Sequence, residues 1–257
     1  MQFYDVIHSH RSIRRFTDRP VDEEVLERIL AAGLRASSSG NMQAYSIIVT
    51  SDSELKEKLY RPHFEQSMVI DAPLLITFCA DFHRMRQWLT MHEAPMNFDN
   101  FMSFMIGAID ATLVAQNVAL AAEAEGLGIC FMGTTLASCL EIAEILECPE
   151  GVVPVVGFSL GHPAEDPAKR DRLPTRALIH REKYQKPTPE MISDFYHERE
   201  VKGWERYMAD ERLRMLVKEN GVSNLAQVYT QLKYTQESHI TYSQNVLKCL
   251  QQQNFLN

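Results

Sequence analysis

The sequence predicts an α+β fold, a buried sheet packed against helices, and three observations carry that prediction. Apolar runs of strand length recur at residues 47–50, 74–80 and 152–160, each bounded by polar or turn residues. Between the second and third runs lies one long helical pattern, about residues 99–125, with Ala, Leu, Val and Ile on nearly every face. At ~1.5 Å per residue it spans roughly 40 Å, and a helix apolar all round belongs at the centre of a body. Beyond Pro189 the helices are polar, with thin apolar stripes such as Leu225, Val228, Tyr229 and Leu232. Such helices are expected not to form a core alone but to wrap another body, the main domain or a second subunit.

Composition sets the bounds. At 257 residues and 45% hydrophobic, the chain can bury a substantial core as one large domain or two small ones, and nothing marks a linker. A formal net charge of -8 argues against a nucleic-acid-binding surface and leaves room for a local positive pocket. The five cysteines are an odd number without a CxxC pair, so neither a disulfide framework nor a metal site is expected, and a reducing cytoplasm is the fitting compartment. His8 to Arg15 stands where a signal peptide would be apolar, and the apolar stretch 101–124 contains Asp110, Gln116 and Asn117. The chain is therefore expected to be soluble, with no membrane partner.

In chain order, Phe3, Val6 and Ile7 share one side of a short helix that delivers the chain to His10-Arg11-Ser12-Ile13-Arg14-Arg15-Phe16. In an extended segment Arg11 and Arg15 point one way while Ser12 and Arg14 point the other, so one stretch can serve two parts of an anionic ligand. The competing reading is a solvated basic turn paired with Asp5, Asp18, Asp22 and Glu23. A helix follows from about Asp22 to Arg35, then Ser37-Ser38-Ser39-Gly40-Asn41, which reads either as a ligand loop or as a plain turn. The strand at 47–50 leads to a helix from Asp52 to Leu59, capped by Ser51 or Asp52. The stretch 82–100 is mixed, with Trp88, Met91, Met96 and Phe98 either lining a pocket mouth or filling core gaps. Gly126-Leu127-Gly128 ends the long helix, and Ile129 to Gly133 forms a short strand or extended turn. Leu136 to Leu146 reads as one helix.

Gly157-Phe158-Ser159-Leu160-Gly161 matches G-x-S-x-G, the turn that presents a nucleophilic serine in esterases. That reading needs a helix directly afterwards, where Pro163 and Pro167 stand, together with a histidine such as His180, His197 or His239. The alternative is a small strand residue. Lys169-Arg170-Asp171-Arg172 is a second basic cluster, on a loop closed by Pro174.

Taken together, the chain resembles the flavin-dependent nitroreductase family, and more narrowly its oxygen-insensitive NADPH nitroreductase and flavin reductase branch, over about residues 3–185. The resemblance rests on His10 to Phe16, the serine run through Gln43, Gln66, the helix end at Glu125-Gly126-Leu127-Gly128, Gly133, Val155 to Pro163, and Arg170-Asp171-Arg172-Leu173-Pro174. It implies a three-layer fold with a central mixed sheet and helices on both faces. It also implies a single FMN-binding domain over residues 1–257, whose helical extension from about residue 190 wraps the other subunit of a homodimer.

Carried over, the resemblance places the FMN phosphate on His10, Arg11 and Ser12 with Arg170 and Arg172, and Arg14 near the pyrimidine side of the flavin. Ser38 and Ser39 match the serine loop, Gln66 a ring contact, and the backbone of Met132 and Gly133 the approach to the ring. No residue is a catalytic nucleophile; the flavin carries electrons from NADPH or NADH to nitroaromatics, quinones or free flavin, small flat acceptors, by a ping-pong route. A narrower dehalogenase-like or flavin-cleaving reaction is the alternative on the same fold. Three departures stand out: Arg170 where lysine is common, Thr134 where a second glycine is frequent, and no clear counterpart of the loop that holds the NADPH 2′-phosphate.

Overall fold

The apolar runs become one sheet. In a computed structural model describing residues 2–256, β1 (Tyr45–Thr50), β2 (Leu74–Asp81), β3 (Gly128–Met132) and β4 (Val152–Gly161) pair in the order β1-β2-β4-β3. All three strand pairings are antiparallel; the parallel part of the expected mixed sheet is a single bridge between Ser12 and Ile129. β2 is buried along its whole length, which is why its sequence shows no polar alternation. The β2–β4 register shifts between Phe78 and Cys79, opposite Pro154, where a residue without an N–H interrupts the ladder.

Helices cover both faces. Chain order gives α1 (Phe3–Ser9), α2 (Glu23–Gly33), α3 (Ser53–Tyr60), α4 (Met68–Asp71), α5 (His83–Met91) and α6 (Phe101–Ala124). On one face Leu26 and Ile29 of α2 and Val114, Val118 and Ala122 of α6 pack with Ile76, Phe78, Ile129 and Phe158. On the other, Leu59, Met68 and Val69 pack with Leu75, Cys130 and Met132, the residues of opposite parity in the same strands. α6 is long and apolar enough to cross a bilayer, but here it is the helix laid on the sheet. Gly107 permits that approach, since a Cβ there would sit 2.9 Å from the Ala44 carbonyl oxygen and 3.0 Å from the Ala80 methyl.

Asp52 rather than Ser51 caps α3, accepting from Leu55 N at 2.8 Å. The single helix expected over 136–146 is two, α7 (Thr134–Ala137) and α8 (Cys139–Ile145), because Ser138 leaves helical geometry at ψ 25°. Two compact units result, residues 1–169 with 242–257, and residues 170–241. The second holds α9 (Thr175–Leu178), α10 (Pro189–Ala209), α11 (Glu211–Glu219), α12 (Leu225–Gln227) and a π-helical turn, Val228–Lys233. The expectation that these helices lack a core of their own is corrected: Tyr207, Val217, Val222, Leu225 and Val228 are buried together. The thin stripes converge because Gly203 of α10 lets Leu225 lie against its backbone. α13 (Gln236–Gln252) follows, and its last turns join Phe82, Phe104 and Phe255 in the main body.

Arg86 of α5 ties that return. Its guanidinium donates to Phe98 O at 2.9 Å and Asn254 O at 2.8 Å, and lies 4.7 Å from the Phe255 ring centre. Replacing Arg86 with Met keeps the stem but strands these carbonyls, so we expect a loss of about 2–3 kcal/mol in urea unfolding, with faster carboxypeptidase trimming of residues 253–256.

Candidate functional site

The basic segment is extended and stitched to the sheet edge. Ile13 N donates to Ile129 O at 2.8 Å, Thr17 N to His162 O at 2.9 Å, and Ala164 N to Arg15 O at 2.9 Å. Phe16 bridges Pro163 in antiparallel sense. Side chains alternate as an extended chain requires. Arg11 pairs with Asp166, and Arg15 Nε with Glu165 Oε2 at 3.2 Å. On the other side, burial pushes the Cys130 thiol pKa up, while the Arg14 charge and a hydrogen bond with Ser12 oppose the shift. The Arg14 guanidinium has no hydrogen-bond or ionic partner among the described residues.

The acids that meet this segment are not those nearest in sequence. His10 Nδ1 lies 2.6 Å from Glu123 Oε1 at the end of α6. Glu165 accepts from the backbone of Arg14 at 2.6 Å and of Arg15 at 3.1 Å. The first of these bonds leads the causes that hold its carboxyl below the usual range. Arg11, Glu123, Asp166, Ile13 and Gly128 line one shallow groove. Glu123, Glu165 and Asp166 were not singled out from sequence, because pairing across more than a hundred residues leaves no local pattern.

Ser38 and Ser39 meet Asp110, the carboxylate inside the apolar helix. Ser38 Oγ donates to Asp110 Oδ2 at 2.6 Å and Ser39 N to Oδ1 at 3.0 Å; Ser38 Oγ also accepts from Gln43 N at 2.7 Å. Asp110 is wholly buried, so these donors satisfy oxygens that would be costly to bury unpaired. Its acidic position between apolar neighbours, in the middle of the helix, was the available signal. The loop carries positive φ at Gly40, Asn41 and Gln43. The Ser38 hydroxyl is committed to this framework, and Ser39, bound through its backbone N–H, is an exposed residue.

Across the sheet, Gln66, Thr134 and a histidine missed in the sequence come together. His63 is 1% exposed, its Nδ1 is 2.8 Å from Thr134 Oγ1, and Gln66 Nε2 is 2.8 Å from His63 O and 3.4 Å from Thr134 Oγ1. Met132 is buried at the end of β3, while a Cβ on Gly133 would meet nothing within 4 Å. The chain thus presents bare backbone at Gly133. Because the Ser12–Ile129 bridge is parallel, moving from Ser12 to Arg14 moves toward that same end of β3.

In the second unit, Arg172 donates to the backbone oxygens of Arg170 and Asp171 at 3.4 and 3.3 Å, and among the described residues neither Arg170 nor Arg172 is ion-paired. Ser159 is the small strand residue, and the alternative of a nucleophile falls: it is fully buried near the C-terminal end of β4, opposite Leu75 and Cys130, and β4 runs on to Gly161 without a helix.

Comparison with known proteins agrees over most of the chain. A profile of the Nitroreductase family matches residues 7–162. The FMN reductase (NADPH) of Bacillus subtilis (strain 168) is 35% identical over 224 residues, covering 82% of this chain and 90% of its own. NfrA2 of B. megaterium superposes with a TM-score of 0.83 at 33% identity, covering 100% of this chain and 99% of the other. The NADPH:FMN oxidoreductase from Vibrio harveyi, complexed with NAD+, gives 0.72 at 32% identity, covering 86% and 92%.

The buried imidazole sets an acid limit on the fold. Burial lowers the His63 pKa to about 4, so between the ordinary histidine value and that point the unfolded chain binds more protons and stability falls as pH falls. By pH 4 the loss reaches about 3 kcal/mol. Urea unfolding from pH 7 to 4.5 should show a steeper decline for the wild type than for His63→Gln; equal slopes would remove this assignment.

Proposed function

Because the chain belongs to the nitroreductase family, we propose that it is an FMN-dependent oxidoreductase carrying electrons from NADPH or NADH to flat, electron-poor acceptors such as nitroaromatics, quinones or free flavin. The observation that carries this reading is that Arg14, whose guanidinium has no ionic partner among the described residues, and open backbone at Gly133 both lie toward one end of β3. The residues present fit the cofactor: bare backbone leaves room for a flat ring, and a cation without a counter-ion among the described residues suits a ring that gains negative charge. When bound, FMN would supply a two-electron centre that takes hydride from nicotinamide and passes it to an acceptor once that product has left, a ping-pong order.

The protein's own part is binding and electrostatics. Arg14 stabilises negative charge that develops on reduction. His10, Arg11 and Ser12 are proposed phosphate ligands, and Arg170 and Arg172, not ion-paired among the described residues, are proposed as further cations for it. Arg11 exchanges Asp166 for phosphate at little cost, since that carboxylate side chain is 84% exposed. Ser38 fixes the loop through Asp110, leaving the Ser39 hydroxyl for the ligand, and Gln66 and the backbone of Met132 and Gly133 border the ring. Exposed Phe101, Met102, Met105, Ile109 and Leu113 on α6 support a homodimer. We assign the enzyme to the cytoplasm, where reduced nicotinamide is available.

An anaerobic absorbance spectrum tests the reading. The purified protein should show flavin bands that bleach on adding NADPH or NADH, compared in separate cuvettes; a protein that retains no FMN would sink the proposal. Arg14→Leu should remain folded and slow flavin reduction roughly 10- to 100-fold, the range expected for losing one charged stabilising group of about 1.5–3 kcal/mol, and unchanged reduction kinetics would remove its role.

A further inference from the structure

The turn after α3 fixes which end of one amide faces outward. Gln66 Nε2 lies 2.8 Å from the His63 carbonyl oxygen and 3.4 Å from Thr134 Oγ1. A carbonyl accepts and never donates, so the nitrogen of this amide is turned inward and the oxygen outward. Gln66 Oε1 has no partner among the described residues. The Thr134 hydroxyl is in turn held by His63 Nδ1 at 2.8 Å, and that imidazole is enclosed. Phe64 and Glu65, between His63 and Gln66, both take left-handed φ, 58° and 53°. This backbone bends the chain so that the His63 carbonyl reaches the Gln66 side chain, a conformation that the surrounding bonds maintain.

We propose that His63 and Thr134 are positioning residues that hold the Gln66 amide in one sense, so that the site offers a hydrogen-bond acceptor to an N–H of the flavin ring. The inference rests on the FMN reading above. A flavin edge carries both N–H donors and carbonyl acceptors, and a rotated amide would set N–H against N–H. Fixing the sense before binding removes that mismatch and the entropy of a free amide. Thr134 acts through its hydroxyl and His63 through its ring nitrogen and its carbonyl.

The test is FMN affinity, from the quenching of FMN fluorescence on titration with protein stripped of flavin, together with the midpoint potential of bound flavin. Thr134→Val, isosteric but without the hydroxyl, and His63→Leu should each raise the FMN dissociation constant about tenfold, the worth of roughly one hydrogen bond. Thr134→Ser should stay within about threefold of wild type, because it restores the hydroxyl. Gln66→Ala should weaken binding and shift the potential as Thr134→Val does. Thr134→Val binding as tightly as wild type while Gln66→Ala binds weakly would overturn the positioning role, and Gln66→Ala with unchanged affinity and potential would overturn the contact itself. Wild-type protein that binds no FMN would instead overturn the functional reading on which this one rests.

Discussion

The basic segment depends on one close approach. Ile13 fills the space that any side chain at residue 128 would occupy, with Ile13 carbons 2.7–3.0 Å from where a Cβ would stand. That contact lets the Ile13 N–H reach Ile129 and holds the segment extended along the edge of β3. Extension then separates its charges, with Arg11 and Arg15 on the side of Glu165 and Asp166, and Ser12 and Arg14 on the side of Cys130. A helical or looped segment of the same composition would mix these charges. Gly128, the first residue of β3 and not the end of a helix, therefore admits the residue that orders the cations.

Most of the main body was legible in the sequence because its signals are local. Apolar runs marked β1, β2 and β4, an all-round apolar pattern marked α6, and β3 was left open between a short strand and an extended turn. The alternation of Arg11, Ser12, Arg14 and Arg15 was legible for the same reason: it follows from extended geometry. What was illegible depends on distant partners. Glu123, Glu165, Asp166 and His63 acquire their places only through tertiary pairing, and the acids near the cluster in sequence were the wrong ones. The break at Ser138 is a change in one residue's dihedrals, invisible to periodicity. The core of the second unit was missed because several thin stripes, each too small alone, meet at Val228 and Leu225.

The carboxylates around the segment change what binding means there. With Glu165 and Asp166 in place, Arg11 and Arg15 are cations already holding counter-ions. An incoming anion displaces or shares these partners, so its net gain is the difference between two sets of interactions. Glu165, bound by two backbone N–H groups, is fixed, whereas Asp166 is solvated and easily released. The segment thereby keeps its shape through backbone bonds, while the partner of Arg11 is a solvent-exposed carboxylate.

The chain leaves the main body after Lys169 and re-enters it at Tyr242, so the second unit is an insertion anchored in sequence at both ends. For such a segment the entropy of closure grows only with the logarithm of length; doubling it costs about 0.6 kcal/mol. Because Arg86 and the Phe82–Phe255 cluster secure the returning strand of chain, the main body is indifferent to how long the excursion is. The sheet and its basic edge are thereby closed by bonds that lie within the main body itself.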